Sequence, residues 1–175
     1  MLKLLLGKLK KQEGFTLVEL IVVVVIIGIL SSIAIPSFKN ASDKAKQKEV
    51  STLISSYIKA AQAYKTEYGG SLFYTNQLGE YVSISGCLRN DPSYCKSAKP
   101  IDYTNGNLID MWYSPSGLFK LRIDGGGNTI NIRAIPDGKY SETGYGVAGC
   151  FNPMNGVTKV VEMTTRGTRV PIAGC

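Results

Sequence analysis

The sequence contains no histidine and a single tryptophan. The missing histidine removes the commonest general base and the commonest zinc ligand. Only scattered carboxylates and tyrosines remain for acid–base work, which argues against an enzyme. Its four cysteines form no C-x-x-C pair, so no zinc set can be assembled from them. A concentrated basic stripe, which nucleic-acid binding as a main task normally needs, is missing too. The net charge is +7, but outside residues 1–14 the basic groups are dispersed. The glycine run Gly125-Gly126-Gly127-Asn128 lacks a following Lys-Ser or Lys-Thr and leads into a strand pattern, so it is not a phosphate cradle. Asp124, Asp137 and Glu142 lack the close spacing of a calcium loop. No cofactor or metal is expected. Asn40-Ala41-Ser42 is a formal glycosylation sequon of no evident use.

What the chain has in quantity is a run of 21 nearly all apolar residues from Phe15 to Ile35. About 20 residues at 1.5 Å each cross the ~30 Å hydrocarbon core of a bilayer. Lys3, Lys8, Lys10 and Lys11 precede the run against the lone acid Glu13. If the run is a membrane anchor, that excess would place residues 1–14 in the cytoplasm and the domain outside. One reading is a secretory signal peptide, with Ser32 and Ala34 as small residues before Ile35; the run is too long for an ordinary one and carries Glu19. A second is a plain membrane anchor, with Glu19 snorkelling to the headgroups. An acid in a bilayer is costly, about 2.5–3.5 kcal/mol for Asp at a helix centre and less near the interface, and needs a partner.

A third reading takes the glycine and the acid together. Gly14-Phe15-Thr16-Leu17-Val18-Glu19, with Lys11 before it and Gly28 and Pro36 after it, resembles the processing site of type IV pilins and the related pseudopilins. The resemblance is specific over residues 11–38 and weaker beyond. It implies that a prepilin peptidase cuts between Gly14 and Phe15 and that the new Phe15 amine is methylated. Glu19 then serves assembly by pairing with that amine, on its own chain or on a neighbour. Gly28 and Pro36 mark a kink, or a bend that lets subunits pack and filaments stretch. The implied partners are other copies of the chain in a filament, the peptidase/methyltransferase, the inner-membrane assembly machinery and the membrane itself. The implied location is the bacterial inner membrane, then an extracellular filament used for twitching motility, adhesion to host or abiotic surfaces, or DNA uptake.

Beyond Pro36 the pattern is that of an amphipathic helix. Val50, Ile54, Tyr57, Ala61, Tyr64 and Tyr68 recur at spacings of four and three, opposite Lys44, Lys48, Ser51, Ser55, Lys59, Gln62 and Thr66. Gly69-Gly70 ends it. Helix from Phe15 to Tyr68 is about 80 Å long, so its first half must lie in lipid or among other copies and its second half against a head. Residues 71–117 show no sustained period. Phe119, Leu121 and Ile123, then Ile130 and Ile132, alternate with polar residues around the glycine run and predict a β-hairpin with a four-residue loop. Val157 to Met163 reads as a third strand.

The expected fold is α+β: a long N-terminal helix, transmembrane in its first half, packed on an antiparallel sheet of three or four strands. The divisions are a leader at 1–14, an apolar helix at 15–35, an amphipathic second half at 36–70, and a head at 71–175. Cys87, Cys95, Cys150 and Cys175 all follow the apolar run, and two disulfides suit a domain outside the cytoplasm. Of three connectivities, Cys87–Cys95 and Cys150–Cys175 close the shorter loops; four buried thiols in a reducing compartment are the alternative. The C-terminal cysteine segment is expected at the sheet edge. A structural pilus subunit is thus the leading expectation, beside a minor pilin, a secretion-system pseudopilin, and an anchored periplasmic enzyme or binding module.

Overall fold

The computed structural model describes residues 14–70, 75–82, 84, 111–126 and 129–175. Residues 1–13 and Cys87 and Cys95 lie outside the described residues. The chain divides into two compact units, residues 1–40 and 41–175.

Helix α1, Leu17–Tyr68, runs unbroken through both Gly28 and Pro36. Pro36 removes one ladder donor, but the helix continues across it. At the other end Gly69 stops the helix in the left-handed conformation, φ 69°, its amide donating to the Lys65 carbonyl at 2.9 Å. That αL stop is one an L side chain adopts only under strain.

In the second unit, five strands form one antiparallel sheet in chain order: β1 Met111–Tyr113, β2 Phe119–Gly126, β3 Thr129–Pro136, β4 Tyr145–Phe151 and β5 Thr158–Arg166. That is one more than the upper expectation. The hairpin differs too. β2 and β3 stay paired out to Gly126↔Thr129, so Gly125 and Gly126, expected in a four-residue loop, belong to the ladder. A short helix α2, Thr75–Gly79, and a 3₁₀ turn, Gly138–Tyr140, complete the described elements.

Cross-strand partners share a face, so register identifies the core. Phe119, Leu121 and Ile123 lie opposite Pro136, Ala134 and Ile132, while Ala134, Ile132 and Ile130 lie opposite Val147, Gly149 and Phe151. All the side chains in that set are buried, and Val50, Ile54, Tyr57 and Ala61 of α1 cluster with them. Each large aliphatic removed from water there contributes about 1.5–3 kcal/mol before entropy is charged. Gly149 faces the helix closely: a Cβ there would run into Ile54 and Ile58. Trp112, fully buried on β1, packs edge-to-face on Tyr57 with ring centroids 5.6 Å apart. The apolar stripe loses burial beyond Ala61; Tyr64 stacks on Tyr68, which is exposed.

The opposite sheet face is covered in part by the chain after β5. Val170 is buried, its carbonyl accepting from Arg133 Nη1 at 3.0 Å. Cys175 is disulfide-bonded to Cys150 with Cα atoms 5.9 Å apart. Cys150 lies on β4, an inner strand, so the C-terminal segment is fastened over the sheet face and not at its edge.

Candidate functional site

The residues singled out by sequence begin just outside α1. Gly14 and Phe15 precede the helix, and Phe15 is 90% exposed. Thr16 is the N-cap. Its carbonyl accepts the amide of Leu20 at 3.3 Å, and its Oγ1 accepts the amide of Glu19 at 3.3 Å. Glu19, three residues on, answers with Oε2, which accepts the Thr16 amide at 2.9 Å and the Thr16 hydroxyl at 2.7 Å. This reciprocal pair is a capping box, satisfying donors that the helical ladder leaves open. A carboxylate in the first turn is also favoured by the helix dipole. The T-x-x-E spacing that signals it was present in the sequence.

The arrangement has a chemical consequence. Both Thr16 donors end on one oxygen of the carboxylate, and among the described residues Oε1 has no partner. Glu19 is therefore held in place by its own helix while one oxygen remains for a further donor. Downstream, the apolar side chains from Leu17 to Ile35 are exposed in this single chain. A helix this long and apolar can cross a membrane, and a continuous exposed apolar surface of this kind marks lipid or protein contact. Gly28 and Pro36 lie within it, exposed, with nothing near the position a Cβ would take at Gly28.

The second unit holds polar residues that sequence reasoning did not find. Asp43 and Gln47 of α1 are buried, and Asp43 is ion-paired to Arg166 at 2.8 Å. Burial, and then the negative charge of Asp43, pushes the hydroxyl of Tyr140 up to about 12. Lys48 Nζ donates to Glu162 Oε1 at 2.8 Å, a hydrogen bond that holds this carboxyl below its ordinary range. Asp124 is not a calcium ligand in waiting: Arg122 and Arg133 both pair with it. Among the described residues no cluster of three or more His, Cys, Asp or Glu could hold a metal ion.

Comparison with known proteins matches these features. A family described as "Prokaryotic N-terminal methylation motif" matches residues 9–35, which span Gly14, Phe15, Thr16 and Glu19. The type II secretion system core protein G of Aeromonas hydrophila is 31% identical over 111 residues, 61% of this chain and 71% of that protein. The core protein G of Vibrio cholerae is 40% identical over 85 residues, 49% of this chain and 57% of that protein. The type IV major pilin protein PilA of Myxococcus xanthus is 38% identical over 69 residues, 39% of this chain and 31% of that protein. The chain thus spans less than two thirds of the last two relatives. No solved structure matches. With a prepilin-type N-terminus, an exposed apolar helix, a meander head and relatives of this coverage, the chain belongs to the type IV pilin and pseudopilin superfamily.

Proposed function

We propose that the chain is the structural subunit of a type IV pilus, made as a prepilin and polymerised through α1. Residues 1–14 are its leader, 15–35 its membrane and assembly helix, 36–70 the helix of the head and 71–175 the rest of the head. A prepilin peptidase cuts between Gly14 and Phe15, and the Phe15 amine is methylated. The observation that carries this reading is the capping box at the start of an apolar helix exposed along its length. It keeps Glu19 satisfied while the subunit waits in the inner membrane, and it leaves an oxygen for the Phe15 amine of a neighbour. In a filament core that amine is buried among apolar helices, where an unpaired charge costs several kcal/mol. Pairing removes that cost and sets the axial register. Gly28 and Pro36 supply the bend that packing requires.

A second reading is a pseudopilin of a type II secretion system, favoured by the core protein G relatives, of which the Aeromonas protein aligns over the greater part of its length. The Cys150–Cys175 bridge favours the pilin, since pseudopilins more often hold this region with calcium or packing.

The test is to shear surface filaments from cells making this chain and to measure the intact mass and N-terminus of their main component. The expected mass is that of residues 15–175 with a methylated Phe15. A chain starting at Ile35 would restore the secretory-signal reading. Export defects with no surface filaments would favour the pseudopilin. Replacing Gly14 with valine should leave the leader attached and abolish filaments.

A further inference from the structure

The apolar stripe that packs α1 on the sheet has two anomalous members. Continued towards the N-terminus at the same spacing, Val50, Ile54, Tyr57 and Ala61 are preceded by Asp43 and Gln47, which are 2% and 6% exposed. The seam therefore opens with two buried polar layers and becomes apolar only at Val50.

Both layers are engaged, and their long-range partners come from β4, β5 and the turn before β4. Arg166 Nη1, at the end of β5, donates to Asp43 Oδ2 at 2.8 Å and also to the Thr143 carbonyl, while its guanidinium lies 4.7 Å from the Tyr145 ring centroid. Lys46 lies 3.6 Å from the other Asp43 oxygen, and the Tyr140 hydroxyl donates to the Asp43 carbonyl at 3.1 Å. Gln47 Nε2 bridges the carbonyls of Gly146 and Met163 at 3.0 and 2.9 Å. Those two carbonyls flank the register shift between β4 and β5, where the ladder leaves backbone acceptors open and buried acceptors need donors.

We propose that Asp43 and Gln47 form a releasable clasp: α1 detaches from the sheet over residues 43–49 and recloses, while the seam from Val50 onward stays packed. The physical reason is the unequal cost of opening the layers. Water can replace each hydrogen bond of the polar layers with little net change, and a desolvated ion pair regains its hydration when it opens. The apolar layers have no such compensation and lose packing outright. Opening thus starts easily and stops at Val50. Closing is specific, because only one register aligns the Asp43 and Gln47 partners together. The role of the clasp rests on the pilin-like reading: a subunit passing from lipid to a helical filament must let α1 readjust near Pro36 without unfolding its head. The opening itself does not rest on that reading.

Residue-resolved hydrogen exchange on the full chain in detergent micelles tests the clasp. In the native chain, amides of residues 44–49 should be at least about tenfold less protected than those of 54–61, as local opening requires. Arg166→Gln should lower protection at 44–49 by about another tenfold, leaving 54–61 and β2–β4 unchanged. The apolar set Asp43→Leu, Gln47→Leu, Arg166→Met should raise 44–49 towards the core. Equal protection at 44–49 and 54–61 in the native chain would overturn the proposal. So would a uniform loss across the head in Arg166→Gln. Failure of the native chain to form filaments would remove the pilus reading and leave the clasp standing.

Discussion

On the proposed reading Glu19 has two separable duties, capping α1 and pairing with a neighbour's amine, and replacing it with glutamine divides them. The amide oxygen of glutamine can still accept from Thr16, so the capping box survives. The charge does not. Glu19→Val removes both. Loss of the cap alone costs about 1 kcal/mol, spent at the exposed first turn of α1, far too little to unfold a head with its own core. Membrane insertion should improve in both variants, because a carboxylate near the interface opposes it by up to a few kcal/mol. If the proposed pairing holds, both variants also lose the partner of a neighbour's buried amine, worth several kcal/mol per subunit. The expectation is a stable, membrane-resident subunit, cleaved after Gly14, that yields few or no filaments from either variant. Thr16→Val, which keeps the acid and loses the cap, should assemble with a moderate defect. The assay compares sheared filaments with membrane-bound subunit by immunoblot, with N-terminal mass as the control for cleavage. Normal filaments from Glu19→Gln would refute the charge-pairing argument and reduce Glu19 to a capping residue.

Other consequences concern the head. The Cys150–Cys175 loop spans a sequence separation of 25, so Cys175→Ser should cost roughly 3 kcal/mol on the chain-entropy account; denaturant titration and protease sensitivity of the C-terminus would register it. Gly149→Ala should destabilise by about 1–3 kcal/mol, since its Cβ meets Ile54 and Ile58; an unchanged melting temperature would show that α1 can retreat freely. Tyr140 is raised in the folded state, so its contribution is complete below its ordinary value of 10.0 and lost as pH rises through about 12. Glu162 is lowered, so its contribution is present above its ordinary value of 4.5 and lost as pH falls further. In pH melts, Glu162→Gln should flatten the acid limb and leave the alkaline limb intact.

The helical stripe and the β2–β3 hairpin were legible because each buries one face, so their periods of 3.6 and 2 appear in the order of residues. β4 was not, and its burial explains why. In Tyr145–Phe151, residues 146 to 151 are all buried, between α1 on one face and the C-terminal segment on the other. Such a strand shows no alternation, and Gly146, Ala148 and Gly149 resemble a turn more than a strand. β1 has only three residues, too few to show any period. At the N-terminus the acid was legible from its oddity in an apolar run, while its cap needed only the T-x-x-E spacing. Asp43 and Gln47 were hidden for another reason. A polar residue on a helix is solvated by default, and the groups that bury these two lie about a hundred residues downstream.

Finally, the sheet is a pure meander, each strand pairing with its neighbour in the chain. Its pairings close short loops and are entropically inexpensive. The docking of α1 is the opposite: Ile54 meets Gly149 across almost the whole head. Sheet formation should therefore lead and helix docking follow, and substitutions at Ile132 should slow refolding while those at Ile54 mainly hasten unfolding, as φ-values would report. For a chain whose amino-terminal helix reaches the membrane first, that order has a practical meaning. On the proposed membrane orientation, the helix waits, undocked from its partner, until the polypeptide that will receive it has been delivered across the bilayer.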